Sequence, residues 1–114
     1  MIEGFEPNSL VIVNLVQPKE KFFGVLRGLS PAGVTMRAVN LDSFDDWIHQ
    51  IARNEEMDIE MITMFVPLFR VERIFLDEQA GAVQSYTQRF QQVTGTPVRT
   101  YLGIPDDGNG GRSV

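Results

Sequence analysis

The sequence predicts a mainly β fold: a small, strongly bent, five-stranded antiparallel barrel with a helical insert between the third and fourth strands and a C-terminal helix. Three observations predict it. Short β-branched runs are separated by turn residues, two glycines stand at alternate positions inside one of those runs, and the apolar period changes once in mid-chain from that of a strand to that of a helix.

Leu10 to Val16 is nearly all apolar and is bounded by Pro7-Asn8 and Gln17-Pro18, so it reads as a buried strand. Lys19-Glu20-Lys21 is a charged turn. The second strand, Phe22 to Leu29, places Gly24 and Gly28 on one face, where missing side chains permit the sharp curvature that a small barrel needs. Ser30-Pro31-Ala32-Gly33 supplies turn chemistry, and Val34 to Leu41 returns as the third strand of a hairpin.

From Asp42 the period changes. Phe44, Trp47, Ile48 and Ile51 recur at helical spacing, with Asp45, Asp46, His49, Gln50 and Arg53 on the opposite side, and Asp42 or Ser43 serves as N-cap. This insert, residues 43–54, packs its aromatic stripe on the barrel. After an acidic linker, Ile59 to Val66 is the fourth strand, ended by Pro67, which cannot donate to a ladder. Val71 to Leu76 is the fifth. Ser85 and Gln88 are spaced as a capping box for a C-terminal helix over residues 84–94 with Gly95 as its stop, and Val98 to Ile104 adds an extended arm. The domain thus spans residues 8–104. The remaining stretch, 105–114, is rich in Gly and Asp, has almost nothing to bury, and is expected to be a disordered tail.

With 43% hydrophobic and 22% charged residues the composition is that of an ordinary globular protein, which excludes fibrous and disordered classes. No cysteine is present, so neither disulfides nor thiolate metal sites contribute, and the first residues have neither the basic stretch nor the apolar core of a secretory signal. A cytoplasmic protein without membrane association is expected. The net charge of −5 disfavours a general nucleic-acid binder, whose affinity comes from clustered Lys and Arg.

The run Phe22-Phe23-Gly24-Val25-Leu26-Arg27-Gly28-Leu29-Ser30 resembles the first motif of the Sm-like (LSm) family: an apolar residue, glycine, a second apolar residue two positions on, and a turn. The resemblance covers roughly Leu10 to Leu76. SH3-like and PRC-type barrels share the alternation of glycine and apolar residues, and residues 66–71 fit their closing strand as well. What the resemblance implies is a five-stranded barrel that assembles through its edge strands, with a ring possible. RNA binding is not carried over with it. Ser30 and Gly33 stand where RNA-binding members have Asp and Asn, and Pro67-Leu68-Phe69-Arg70 offers only Arg70 where they have Arg-Gly or Lys-His.

Catalytic chemistry finds no constellation. Ser43, Asp45 and His49 are the ingredients of a nucleophilic triad, but no strained nucleophile turn accompanies them; Asp45, His49 and Arg53, four apart, read as a solvated stripe of charge pairs. The carboxylates of Asp42, Asp45, Asp46, Glu55, Glu56, Asp58 and Glu60 lack the order of a calcium loop, and the glycines at 108, 110 and 111 lack the strand and helix of a phosphate loop. No catalytic residue, metal or cofactor is expected. Phe22, Phe23, Phe65, Phe69 and Phe75, interleaved with Arg27, Arg37, Arg70 and Arg73, are a core if buried and a base-stacking platform if exposed. Those four arginines are the candidate ligand-binding residues, although Arg70, Glu72 and Arg73 also suit cross-strand or intersubunit ion pairs. The function expected is that of a non-catalytic, homo-oligomeric binding or scaffold module; the alternative is an RNA or single-stranded nucleic-acid binding protein.

Overall fold

A computed structural model describes residues 3–105. Five antiparallel strands, β1 (Leu10–Leu15), β2 (Glu20–Ser30), β3 (Gly33–Asn40), β4 (Ile62–Pro67) and β5 (Val71–Leu76), form one sheet in the order β4-β3-β2-β1-β5. A 3-10 turn at Leu41–Ser43 leads into helix α1 (Phe44–Ala52), and α2 (Tyr86–Thr94) and α3 (Val98–Leu102) follow the last strand. The sheet is open: β4 and β5 are its edges and do not pair with each other.

Only the three residues Leu68–Arg70 join those two edges. A flat sheet of five strands would hold its edges on the order of 19 Å apart, whereas such a link reaches roughly 14 Å at full stretch. The sheet must therefore curl. The link is pinned at the corner by Leu68 N–H donating to Ala32 C=O at 3.0 Å and Val16 N–H donating to Arg70 C=O at 2.8 Å.

Curling explains why β1 is apolar at nearly every position. Val11, Val13 and Leu15 point into the concave face with Leu26, Val34, Met36, Ala38 and Val66, while Leu10 and Ile12 point to the convex face with Phe23, Val25 and Val39. The convex face is roofed by the helices. Phe44, Trp47 and Ile48 of α1, Phe90 of α2 and Val98 of α3 are all buried there, and the rings interlock: Phe23 meets Phe44 edge-on at 5.5 Å, Tyr86 meets Phe44 at 5.0 Å and Trp47 meets Phe90 at 5.3 Å. The C-terminal helices thus cover the sheet's face and leave its edges open.

Several expectations need correction. Gly24 and Gly28 do not share a face, because a bulge between Leu26 and Gly28 shifts the register; Gly24 lies opposite Val11 and Ala38 on the concave side and Gly28 opposite Thr35 on the convex side. The fourth strand begins at Ile62 and not at Ile59. Met57, Ile59 and Met61 keep strand-like alternation, but all three pack into the helix-side core outside the ladder. Residues 98–104 are not an extended arm: Pro97 opens a short helix that buries Val98 and ends at the left-handed Gly103. Ser43 holds the N-cap position of α1, as one of the two residues read for it, but its side chain makes no capping bond; the side-chain cap is made one turn earlier by Asn40, whose Oδ1 accepts from Asp42 N–H at 2.8 Å at the start of the 3-10 turn. The capping box of Ser85 and Gln88 and the left-handed stop at Gly95 form as the sequence reads. Residues 106–114 of the expected tail lie outside the described residues.

Candidate functional site

Seven large apolar side chains are markedly exposed among the described residues: Ile62, Phe65, Leu68, Phe69, Phe75, Val83 and Tyr101. The first five belong to β4, β5 and the turn joining them. Ile62 is 60% exposed and Phe69 81%, so this is not partial core but surface. Strand β4, Ile-Thr-Met-Phe-Val-Pro, has no charged residue on either face, and only its final proline blunts the edge. Edge strands that stay single normally carry charge, bulges or covering segments. Beside β5 an apolar cleft of about 740 Å³ opens into the concave core between Phe5, Leu29, Pro31, Leu68, Val71 and Ile74.

The phenylalanines divide between the two readings set out above. Phe23 is fully buried and Phe22 packs against the concave core, while Phe65, Phe69 and Phe75 are exposed. The four arginines are spread over β2, β3, β5 and the turn between β4 and β5. Arg70 is structural: its Nε donates to Val16 C=O at 3.0 Å, and its Nη2 donates to Pro18 C=O at 2.8 Å and to Glu20 Oε1 at 3.1 Å. Arg73 lies on β5 opposite Asn14, with Glu72 at 4.0 Å. Arg37 stands mid-β3 between Val25 and Thr63, three strand spacings from β5, or on the order of 14 Å. Arg27 falls at the bulge of β2 and is exposed.

The stripe expected on α1 is wired differently. Asp45 accepts from Arg89 Nε of α2 at 2.9 Å, Arg53 reaches Glu55 at 3.8 Å, and His49 Nδ1 lies 2.7 Å from the Asp45 carbonyl oxygen. The Asp45 carboxylate is thus committed to tying two helices together and does not orient His49. Among the described residues no group of three or more His, Asp or Glu is placed to hold a metal ion, and no helix is long and apolar enough to cross a membrane.

Sequence reasoning missed Asp77. Its carboxylate accepts from Tyr86 N–H at 2.9 Å, Thr87 N–H at 2.8 Å and Thr87 Oγ1 at 2.6 Å, fastening the start of α2 to the end of β5. A carboxylate at a helix N-terminus serves the free amides there, but a separation of nine positions hides the pairing from any local pattern.

The titration of Tyr101 is displaced. Partial desolvation of its half-covered ring first, and the Glu60 carboxylate second, push its pKa above the ordinary 10.0, against the pull of Arg37. A phenol whose pKa is raised on folding contributes stability that is intact below pH 10 and is lost as pH rises through the folded value. Tyr101→Phe should therefore flatten the alkaline limb of the stability profile above pH 10 while leaving neutral stability nearly unchanged, as followed by thermal melts across pH.

Comparison of the chain with models of protein families, with curated proteins and with solved structures returns no match.

Proposed function

We propose that this chain is a non-catalytic binding or scaffold module of the Sm-like or SH3-like barrel kind, and that copies join through the edges of the curled sheet, β4 of one against β5 of the next. The observation that supports this reading is the coincidence of unpaired main chain and exposed apolar side chains along both edges. β4 and β5 are each six residues long and bear Ile62, Phe65 and Phe75 on surfaces that a neighbouring strand would cover. Pairing β4 with β4 of another copy would leave both β5 edges open, whereas a head-to-tail contact uses both edges at once, and a closed ring of such contacts leaves none.

Light scattering coupled to gel filtration tests it. The expected mass is a multiple of 12.9 kDa at micromolar concentration, and the double variant Ile62→Lys/Phe75→Lys, which sets like charges on both partners of the β4–β5 contact, should fall to 12.9 kDa while keeping the native circular dichroism spectrum, because both side chains are solvent-facing in the single chain. A native mass of 12.9 kDa would overturn the reading.

A further inference from the structure

Along each edge of the sheet the main chain alternates between residues that bond the inner strand and residues that face water. Leu68 N–H donates to Ala32 C=O, and the register sets Val66, Met64 and Ile62 against Val34, Met36 and Ala38, so the even-numbered residues of β4 bond β3. Thr63 and Phe65 therefore hold the free N–H and C=O groups of that edge. On β5, Asp77 N–H donates to Leu10 C=O, and the register sets Phe75 against Ile12 and Arg73 against Asn14, so Ile74 and Leu76 hold the free groups. Side chains follow the same alternation. Met64 and Val66 pack in the concave cluster, which places Phe65 on the convex side, 54% exposed. Ile74 and Leu76 pack in the concave cluster, and Ile74 is a wall of the apolar cleft beside β5.

Two residues that exchange hydrogen bonds in an antiparallel pair project their side chains to the same side. When β4 of one copy runs antiparallel to β5 of the next, Phe65, convex in its own sheet, thus emerges on the concave side of its neighbour in every register. The register that gives both free residues of β4 a regular partner sets Thr63 against Leu76 and Phe65 against Ile74, because Glu72 lies at the bulge of β5. There the cleft of about 740 Å³ offers Phe5, Leu29, Pro31 and Val71 to an aromatic ring, and its one charged residue is Glu72. On the other side of the same pairing, Met64 falls against the exposed ring of Phe75. The area involved is sufficient. Ile62, Phe65, Leu68, Phe69 and Phe75 are 44 to 81% exposed and leave on the order of 500 Å² of apolar side chain in water, more than half of the roughly 800 Å² that each partner gives to a stable contact. We propose that the Phe65 ring of one copy seats in the apolar cleft beside β5 of a second copy and anchors the contact. This rests on the edge-to-edge assembly proposed above and fixes its direction, since a parallel contact would leave Phe65 on the convex side, away from the cleft.

Disulfide trapping in the full chain tests the direction and register, because the sequence has no cysteine to compete with introduced pairs. Thr63→Cys/Leu76→Cys, directly opposite across the contact with Cα atoms about 5.5 Å apart, should cross-link copies into a covalent series on mild oxidation. Thr63→Cys/Phe75→Cys, whose side chains project to opposite sides, should not. Phe65→Ala tests the anchor. It should raise the concentration at which the assembly dissociates at least about thirtyfold, the loss at a buried aromatic anchor, while its circular dichroism spectrum stays native. Phe69→Ala removes a still more exposed ring, in the link outside the ladder, and should change that concentration less than about threefold. A native mass of 12.9 kDa overturns the assembly and this contact together. A chain that assembles but does not cross-link through positions 63 and 76, or that dissociates no more readily with Phe65→Ala than with Phe69→Ala, overturns the seating of Phe65 and leaves edge-to-edge assembly standing.

Discussion

Replacing Trp47 with alanine should lower the stability of the fold by about 3 to 5 kcal/mol, the range for deleting a large aromatic from a closed core. Trp47 is 0% exposed and joins all three helices, with ring centroids 5.9 Å from Phe44, 5.3 Å from Phe90 and 6.2 Å from Tyr101. Its Nε1 donor is buried without a partner, so the residue contributes through packing alone, and an unpaired donor offsets part of that gain. Trp47→Phe, which removes the orphan donor and keeps most of the ring contacts, should cost far less than Trp47→Ala. Urea denaturation of the two variants checks this. Equal losses would show that a group only the indole carries, and not the packing of its rings, dominates, and an unchanged Trp47→Ala variant would contradict the packing described here.

What the sequence makes legible follows from which forces are local. α1 is announced by its period, because Phe44, Trp47, Ile48 and Ile51 return to one side every turn and the core behind them is apolar whatever its detail. The α2 capping box is equally readable, since donor and acceptor stand three residues apart. The boundary of β4 is not readable in this way. Met57, Ile59 and Met61 alternate like a strand because they line an apolar roof, and nothing in the segment itself says that its main chain is unpaired.

The candidate site divides along the same line. The alternating Phe and Arg residues are visible in the sequence, but which rings are covered depends on the curl of the sheet, and that depends on a three-residue link between strands at opposite edges. Arg70 illustrates the limit. It reads as a ligand-binding cation, yet its partners Val16, Pro18 and Glu20 lie some fifty positions away along the chain and are brought to it only by the closure of that corner.

The two glycines of the β2 motif should respond to substitution in opposite ways, although they occupy equivalent places in its pattern. A Cβ on Gly24 would fall on the Arg37 carbonyl oxygen and within 2.5 Å of the Ala38 side chain, both on β3, and the first of these is main chain that cannot move without opening the ladder. Gly24→Val is therefore expected to cost about 3 kcal/mol or more, beyond the usual range for overpacking, and to bring the domain near the limit of its stability. A Cβ on Gly28 meets nothing within 4 Å, because the bulge has turned that position onto the convex side. There Gly28→Ala should stay within about 0.5 kcal/mol, and the reduced freedom of the unfolded chain pushes it toward stabilisation. Thermal melts of the two variants decide the matter. If Gly24→Val melts like the native protein, the close approach of β2 to β3 is not as described; if Gly28→Ala is as damaging as Gly24→Val, the register shift that separates their faces is wrong.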